Sequence, residues 1–274
     1  MDRYAVMGNP VAHSRSPEIH RRFAEQTGQA LVYEAILVPR DGFADAVHAF
    51  REAGGRGLNV TVPFKQEAYA LSARRTARAE RAGAVNTLSF GAEDSLSGDN
   101  TDGAGLVRDL TLNHGIELED SAILLLGAGG AVRGVLGPLL EAGPLRTVLA
   151  NRTPDKAVSL ARQFAALGNV EGTGLDGLDG RRFDLVINGT SASLAGQLPT
   201  LPDDLLRSGA VCYDMVYADE PTPFMRWARE HGARLAVDGL GMLVEQAAES
   251  FYIWRAVRPR TAPVIEALRR PAGA

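Results

Sequence analysis

Residues 59 to 65 read Asn-Val-Thr-Val-Pro-Phe-Lys. The run is apolar until its proline, which has no amide hydrogen to give a strand ladder. Pairing therefore stops there, and Lys65 is delivered from the end of a strand. A free lysine has a pKa of about 10.4 and holds its proton at neutral pH. Beside a carboxylate it can be oriented, give a proton to a carbonyl oxygen as hydride reaches the carbon, and take a proton from an alcohol in reverse. The acid for that role is Asp102, in the segment Asp99-Asn100-Thr101-Asp102. It would orient Lys65 and accept from a substrate hydroxyl. Asp102 also stands where a helix N-cap belongs, so capping is its plain alternative. For Lys65 the plain alternative is solvation.

A second constellation lies further on. Residues 121 to 143 read as a buried apolar strand, a glycine turn and a helix. The turn Gly127-Ala128-Gly129-Gly130, with Ala131, leaves helix N–H groups free to hold a pyrophosphate. Val132 occupies the third slot of the dinucleotide fingerprint, where helix and strand packing must tolerate a larger side chain. An NAD site carries an acid roughly 20 residues on. Here Asn151, Arg152 and Thr153 stand instead. An acid would repel a 2′-phosphate, whereas an arginine pairs with it in a charge-assisted fork. Lys156, a turn later, adds a second cation. NADP(H) is therefore the expected cofactor.

Short strand-like and helix-like runs that alternate from end to end must position these groups. Strands are expected at "RYAVMG", "LVYEAILV", "GLNVTV" and "AVNTLSF". A helix is expected to open at Ser16-Pro17-Glu18 with Ser16 as N-cap, and others over Asp41 to Ala53, from Pro63, and from Thr101 to about Asn113. The second half supplies strands in "SAILLL", "RTVLANRT", "FDLVINGTS", "GAVCYDMVY" and "RLAVDGLGML", the last leading into a long helix through Trp254. This alternation implies parallel sheets covered by helices on both faces. Ligands bind at the carboxyl ends of parallel strands. The polar or glycine residues found there are Ser14 and Ser16, Thr61 and Lys65, Asn86 and Asp102, Gly127 to Ala131, Asn151 to Thr153, Thr190 and Ser191, Met215 and Tyr217, and Gly239. The basic set Arg74, Arg75, Arg78 and Arg81 has helical spacing and reads as a solvated helix face.

Composition sets the limits. The chain has 274 residues, 45% hydrophobic and 23% charged, in the range of a globular enzyme of two domains. A net charge of −4 argues against a nucleic-acid partner and against a polybasic membrane contact. The single cysteine, Cys212, excludes an intrachain disulfide and reads as a small buried hydrophobe in a reducing compartment. No signal peptide and no membrane-spanning run is read, so a cytoplasmic location is expected. No metal is called for. The partner expected is a small-molecule substrate, and a homodimer is compatible with the sequence.

The motifs "GNPVAHSRSPEIH", "NVTVPFK", "GAVNT", "GDNTDGAG", "GAGGA", "NRT", "NGTS", "YDMVY" and "DGLGMLVEQAAESF" follow one another in an order and spacing that resembles the shikimate dehydrogenase family along nearly the whole chain. The resemblance implies NADPH-dependent reduction of 3-dehydroshikimate to shikimate in aromatic amino-acid synthesis. It implies that Ser14 and Ser16 bind the substrate carboxylate, with Tyr217 nearby. It implies that Thr61, Asn86, Asp102 and Gln246 contact the ring hydroxyls and the reacting oxygen. It implies that Lys65 and Asp102 form the catalytic pair and that Gly127, Ala128, Gly129, Gly130 and Ala131 cradle the pyrophosphate. It further implies that Asn151, Arg152 and Thr153 hold the 2′-phosphate and that Met215, Gly239 and Met242 line the nicotinamide side, although core packing is the plain alternative for Met242. Two departures stand out. "NGTS" replaces the commoner "NATS", which should loosen that turn, and Val132 stands where alanine or serine is frequent.

Two α/β domains with a deep cleft between them are expected: a substrate domain over 1–101 completed by 238–274, and a Rossmann-like dinucleotide domain over 102–237. The rival readings are a quinate/shikimate dehydrogenase using NAD, and a non-catalytic NADPH- or metabolite-binding regulator. Loss of Lys65 or Asp102 would mark the regulator, and both residues are present.

Overall fold

The structure is a computed structural model that describes residues 1–91, 95–190, 192 and 196–269. The chain divides into two compact units, residues 1–105 with 244–274, and residues 106–243. Each is built on a six-stranded sheet.

In the first unit β1 (Asp2–Gly8), β2 (Leu31–Leu37) and β3 (Gly55–Val60) are parallel neighbours, linked through α1 (Ser16–Thr27) and α2 (Phe43–Glu52). After α3 (Lys65–Leu71), β4 (Arg74–Arg75) and α4 (Ala77–Ala82), the hairpin β5 (Thr87–Phe90) and β6 (Leu96–Asp99) completes the sheet in the order β2-β1-β3-β5-β6-β4. This sheet is mixed, which corrects the expectation of parallel strands throughout. The fourth expected strand, β5, runs antiparallel to both β3 and β6. Only residues 91–95 separate β5 from β6, too few for the crossover that a parallel pair needs. One face of the sheet packs Phe43, Val47, Phe50 and Phe64 against Met7, Leu58, Val60 and Leu88. Elsewhere in the unit His20 stacks flat on Tyr33 at 4.1 Å, with Phe23, Phe251 and Trp254 around it. Helix α9 (Leu240–Arg255) supplies the last two, and α10 (Ala262–Arg269) ends the described chain.

Two local readings are also corrected. Ser16 is the first residue of α1 and Arg15 occupies the cap position, with Pro17 in the first turn. Ser14 takes the turn-forming role instead, its hydroxyl accepting from the Ser16 N–H at 3.3 Å. The four arginines do not share a solvated helix face. Arg74 and Arg75 form β4, Arg75 lies over the Tyr69 ring at 4.4 Å, and Arg78 is engaged by two carboxylates.

The second unit is fully parallel, in the order β12-β11-β10-β7-β8-β9. Its strands are β7 (Ala122–Leu126), β8 (Arg146–Ala150), β9 (Val170–Thr173), β10 (Phe183–Asn188), β11 (Leu206–Asp214) and β12 (Leu235–Val237). Alternate side chains enter two separate cores. Ile123, Leu125, Leu149, Ile187 and Tyr213 join Val132, Val135, Leu136 and Leu139 of α6 (Gly130–Glu141) and Leu160 and Phe164 of α7 (Pro154–Phe164). Leu124, Leu126, Val148, Val186 and Cys212 face Phe224 and Trp227 of α8 (Pro223–Glu230). Strands buried on both faces explain the unbroken apolar runs in the sequence. Cys212 is fully buried, and burial pushes its thiol up to about 12. Helix α5 (Asp102–Arg108) runs into a π-helical turn, Asp109–Asn113, which opens the second unit's core with Leu106 and Leu110. No helix among the described residues is long and apolar enough to cross a membrane.

Candidate active site and dinucleotide groove

In the first unit the backbone after β3 is pinned before it reaches the lysine. The Thr61 N–H bonds to Met7 O, the Asn9 N–H to Val62 O, and the Phe64 N–H to Thr61 O, at 2.9 to 3.0 Å. Phe64 is fully buried and stacks on Phe43 at 4.9 Å. Lys65 follows as the first residue of α3. A cation there faces the positive end of the helix dipole, so helix stability gives no reason for it. Its partner lies across the site: Lys65 Nζ donates to Asp102 Oδ2 at 2.6 Å. The side chains are 26% and 10% exposed, a pair that is enclosed but still reachable.

Asp102 begins α5, where the dipole favours negative charge. Its second oxygen, Oδ1, accepts from Asn86 Nδ2 at 2.7 Å. That amide also reaches Thr101 Oγ1 at 2.9 Å and Gln246 Oε1 at 3.3 Å, while Asn86 Oδ1 accepts the Thr101 N–H at 2.8 Å. Beneath this layer Asn59 Nδ2 reaches Ser250 Oγ at 2.9 Å and Thr87 Oγ1 at 3.1 Å, and the Tyr33 hydroxyl donates to Asn59 Oδ1 at 2.8 Å. A lysine, a carboxylate and two amides thus converge on one place, fixed by a buried and largely satisfied polar layer. Ser14 and Ser16 lie at the carboxyl end of β1, which pairs in parallel with β3, so their loop and Thr61 share one sheet edge.

The second unit holds a groove of about 960 Å³, lined by the glycine turn, Asn151 and Arg152, Asp176 and Asp179, Gly189 and Thr190, and residues 197–202. Gly127 has φ +106°, a conformation reserved for glycine, and its N–H still bonds to Ala150 O at 2.8 Å. Among the described residues a Cβ at Gly129 or Gly130 would meet nothing within 4 Å, and no side chain caps α6. The start of α6 is therefore bare backbone with open space in front of it, which fits a pyrophosphate. Asn151 Nδ2 closes its own turn on Thr153 O at 2.9 Å. The exposed Arg152 and Lys156 side chains make no ion pair or hydrogen bond among the described residues, which leaves both cations for a ligand. Buried Asn188 and Asp214, 3.1 Å apart, hold the next loops. Asn188 accepts from Thr190, and Asp214 accepts from the Val216 N–H and from Thr222. Met215 and Tyr217 follow β11 directly, and the Gly239 N–H bonds to Val216 O at 3.1 Å. Met242 is buried in the core, its N–H on the Tyr213 hydroxyl at 3.3 Å. Ser191 lies outside the described residues.

Reading the sequence missed Asn59, Thr101 and Arg78, and the acids Asp176 and Asp179 on the groove wall. Asn59 carried a usable signal, a polar residue inside an apolar strand. The acids carried none, because only the fold of β9 and the 3₁₀ turn Asp176–Leu178 brings them to the groove.

A parallel sheet with a bare glycine turn at one strand end and, at the next, an arginine unpaired among the described residues defines a dinucleotide-binding α/β protein, whose first unit carries a lysine–aspartate pair. Three family models match along the chain: the shikimate dehydrogenase substrate binding domain over residues 6–88, shikimate/quinate 5-dehydrogenase over 109–195, and the shikimate 5′-dehydrogenase C-terminal domain over 239–269. The chain belongs to the shikimate dehydrogenase family. It is 66% identical over 268 residues to the shikimate dehydrogenase (NADP(+)) of Alkalilimnicola ehrlichii, covering 98% of each chain. Its identity to that of Chromohalobacter salexigens is 62%, again over 98% of each. Among solved structures it is similar to shikimate 5-dehydrogenase from Thermus thermophilus in complex with NADP(H) and shikimate, with a TM-score of 0.87, 36% identity, and 98% and 99% of the two chains covered.

Proposed function

We infer that this chain is an NADP-dependent oxidoreductase acting on a secondary alcohol, interconverting shikimate and 3-dehydroshikimate in the aromatic amino-acid pathway. The observation that carries the reading is the 2.6 Å contact of Lys65 with Asp102, the latter held from behind by Asn86, in a family of this activity. We propose that the first unit holds the substrate and the second the dinucleotide. Gly127 to Ala131 would receive the pyrophosphate, and Arg152 with Asn151, Thr153 and Lys156 the adenosine 2′-phosphate. Ser14 and Ser16 would take the carboxylate. Thr61, Asn86 and Gln246 would take the ring hydroxyls, and Met215, Gly239 and Met242 would border the nicotinamide. The bound cofactor supplies hydride to the substrate carbon, or accepts it.

The protein's own part is the proton. In reduction the Lys65 ammonium gives its proton to the carbonyl oxygen as that oxygen gains charge, and Asp102 holds the ammonium on line. In oxidation the neutral amine takes the hydroxyl proton, so one hydride and one proton leave the alcohol together. Asn86 prevents Asp102 from rotating away, because it engages the oxygen that Lys65 does not use. We place the enzyme in the cytoplasm, which suits one buried, unreactive thiol. A homodimer is tested by sedimentation.

Initial rates of NADPH formation from shikimate test the assignment. It expects strong preference for NADP over NAD and for shikimate over quinate. Equal rates with both cofactors would contradict the role given to Arg152.

A further inference from the structure

We propose that Arg78 is a positioning residue for Asp102, holding the acid's loop and the helix that carries Gln246 as one piece. This rests on the roles given to Lys65 and Asp102 above. Arg78 is 25% exposed and grips Asp99 with a two-pronged fork, Nε to Oδ1 at 2.6 Å and Nη2 to Oδ2 at 2.9 Å. Two parallel bonds fix the carboxylate plane as well as its position. Asp99 Oδ1 also accepts from the Thr76 hydroxyl at 2.6 Å and from the Asn100 N–H at 2.7 Å. Asn100 passes the constraint on: its Nδ2 bonds to Ala84 O at 3.0 Å, and its Oδ1 accepts the Asp102 N–H at 3.2 Å. The backbone entering the acid is thereby fixed at each step from the arginine to Asp102.

The same guanidinium reaches a second element. Nη2 lies 3.2 Å from Glu249 Oε1, and Glu249 Oε2 is held by Arg258 at 2.6 Å. Glu249 sits three residues after Gln246 on α9, on the same face. Gln246 Oε1 is 3.3 Å from the Asn86 amide that braces Asp102. Arg78 therefore ties together the two segments that present Asp102 and Gln246, although it is not among the side chains bonded to Lys65 or Asp102.

Steady-state kinetics of Arg78→Met, Arg78→Lys and Asp99→Asn, alone and combined with Asp102→Asn, test this. A displaced acid costs rate at the proton step, so Arg78→Met lowers kcat on the order of ten- to a hundredfold while the KM for NADP stays near that of the parent. Arg78→Lys keeps the charge but not the fork and recovers part of the loss. Asp99→Asn keeps the shape, weakens the fork and repeats the loss, which supplies the answer if Arg78→Met does not fold. Because Arg78 acts mainly through Asp102, adding Arg78→Met to Asp102→Asn lowers kcat far less than it does in the parent, the remainder being the share carried by Gln246. An Arg78→Met enzyme with parental kcat and a lower melting temperature would overturn the proposal, since the fork would then serve stability alone. So would losses that multiply in the double variant. Undiminished turnover by Asp102→Asn itself would instead remove the catalytic reading on which the proposal rests.

Discussion

Alanine at position 189 would put a methyl group where the structure has no room. An ideal Cβ built there lies 2.5 Å from Val132 Cγ2, 3.2 Å from Met215 Sδ and 3.3 Å from Leu126 O. The nearest of these is well inside van der Waals contact. Val132 is fully buried and sits in the first turn of α6, where a β-branched side chain has one strongly preferred rotamer. It cannot swing aside, so the strain passes to the glycine turn proposed to receive the pyrophosphate. Overpacking of this kind costs about 1–3 kcal/mol. Val132→Ala alone loses buried methyls, and in the double variant the new methyl at 189 occupies the space they leave. The two sites should therefore couple by roughly 0.5–3 kcal/mol. Urea unfolding of the parent, both single variants and the double variant measures this directly, with NADP affinity followed in parallel. Gly189→Ala should be less stable and bind NADP more weakly, and Val132→Ala/Gly189→Ala should recover both. A Gly189→Ala protein as stable as the parent, or a double variant equal to the sum of the singles, would refute the steric argument.

Arg152→Ala should lower kcat/KM for NADP about ten- to a hundredfold, the worth of a charge-assisted contact, and leave kcat/KM for NAD nearly unchanged; equal losses with both cofactors would contradict the assignment. His20 is held by burial from its usual 6.5 down to about 3, and its Nε2 has no hydrogen-bond partner among the described residues. Between those values the unfolded chain binds a proton that the folded chain refuses, so stability falls as pH falls from 6.5 towards 3, with a slope approaching about 1.4 kcal/mol per pH unit. The stability of the parent relative to His20→Leu should fall as pH falls across that window, and a difference that stays constant with pH would show that His20 is not responsible.

Much of this protein can be read along the chain, and the reasons differ by element. Strands buried on both faces and one glycine turn mark the second unit, because parallel sheets leave continuous apolar runs and the turn needs Gly127. Lys65 is legible because a proline ends its strand. Asp102 is legible because a helix starts there. The antiparallel β5–β6 hairpin is not, since four residues of alternating polar and apolar type do not say which way a strand runs. Arg78 misleads for a related reason: helical spacing to Arg74 and Arg81 suggests a face, but the chain bends into β4 before α4 begins, and only the fold brings Asp99 and Glu249 to it. Val132 and Gly189 look like two separate departures from the family pattern. In space they are one, a larger side chain on the helix accommodated by the missing methyl on the next strand's turn.

Lys65 is the group proposed to move the proton. Shikimate binding and NADP-dependent shikimate oxidation, measured side by side on the parent and on Lys65→Ala, test it most directly. Lys65→Ala should still bind shikimate while its turnover falls by about a hundredfold or more. Turnover near that of the parent, or a loss wholly explained by lost substrate binding, would contradict it.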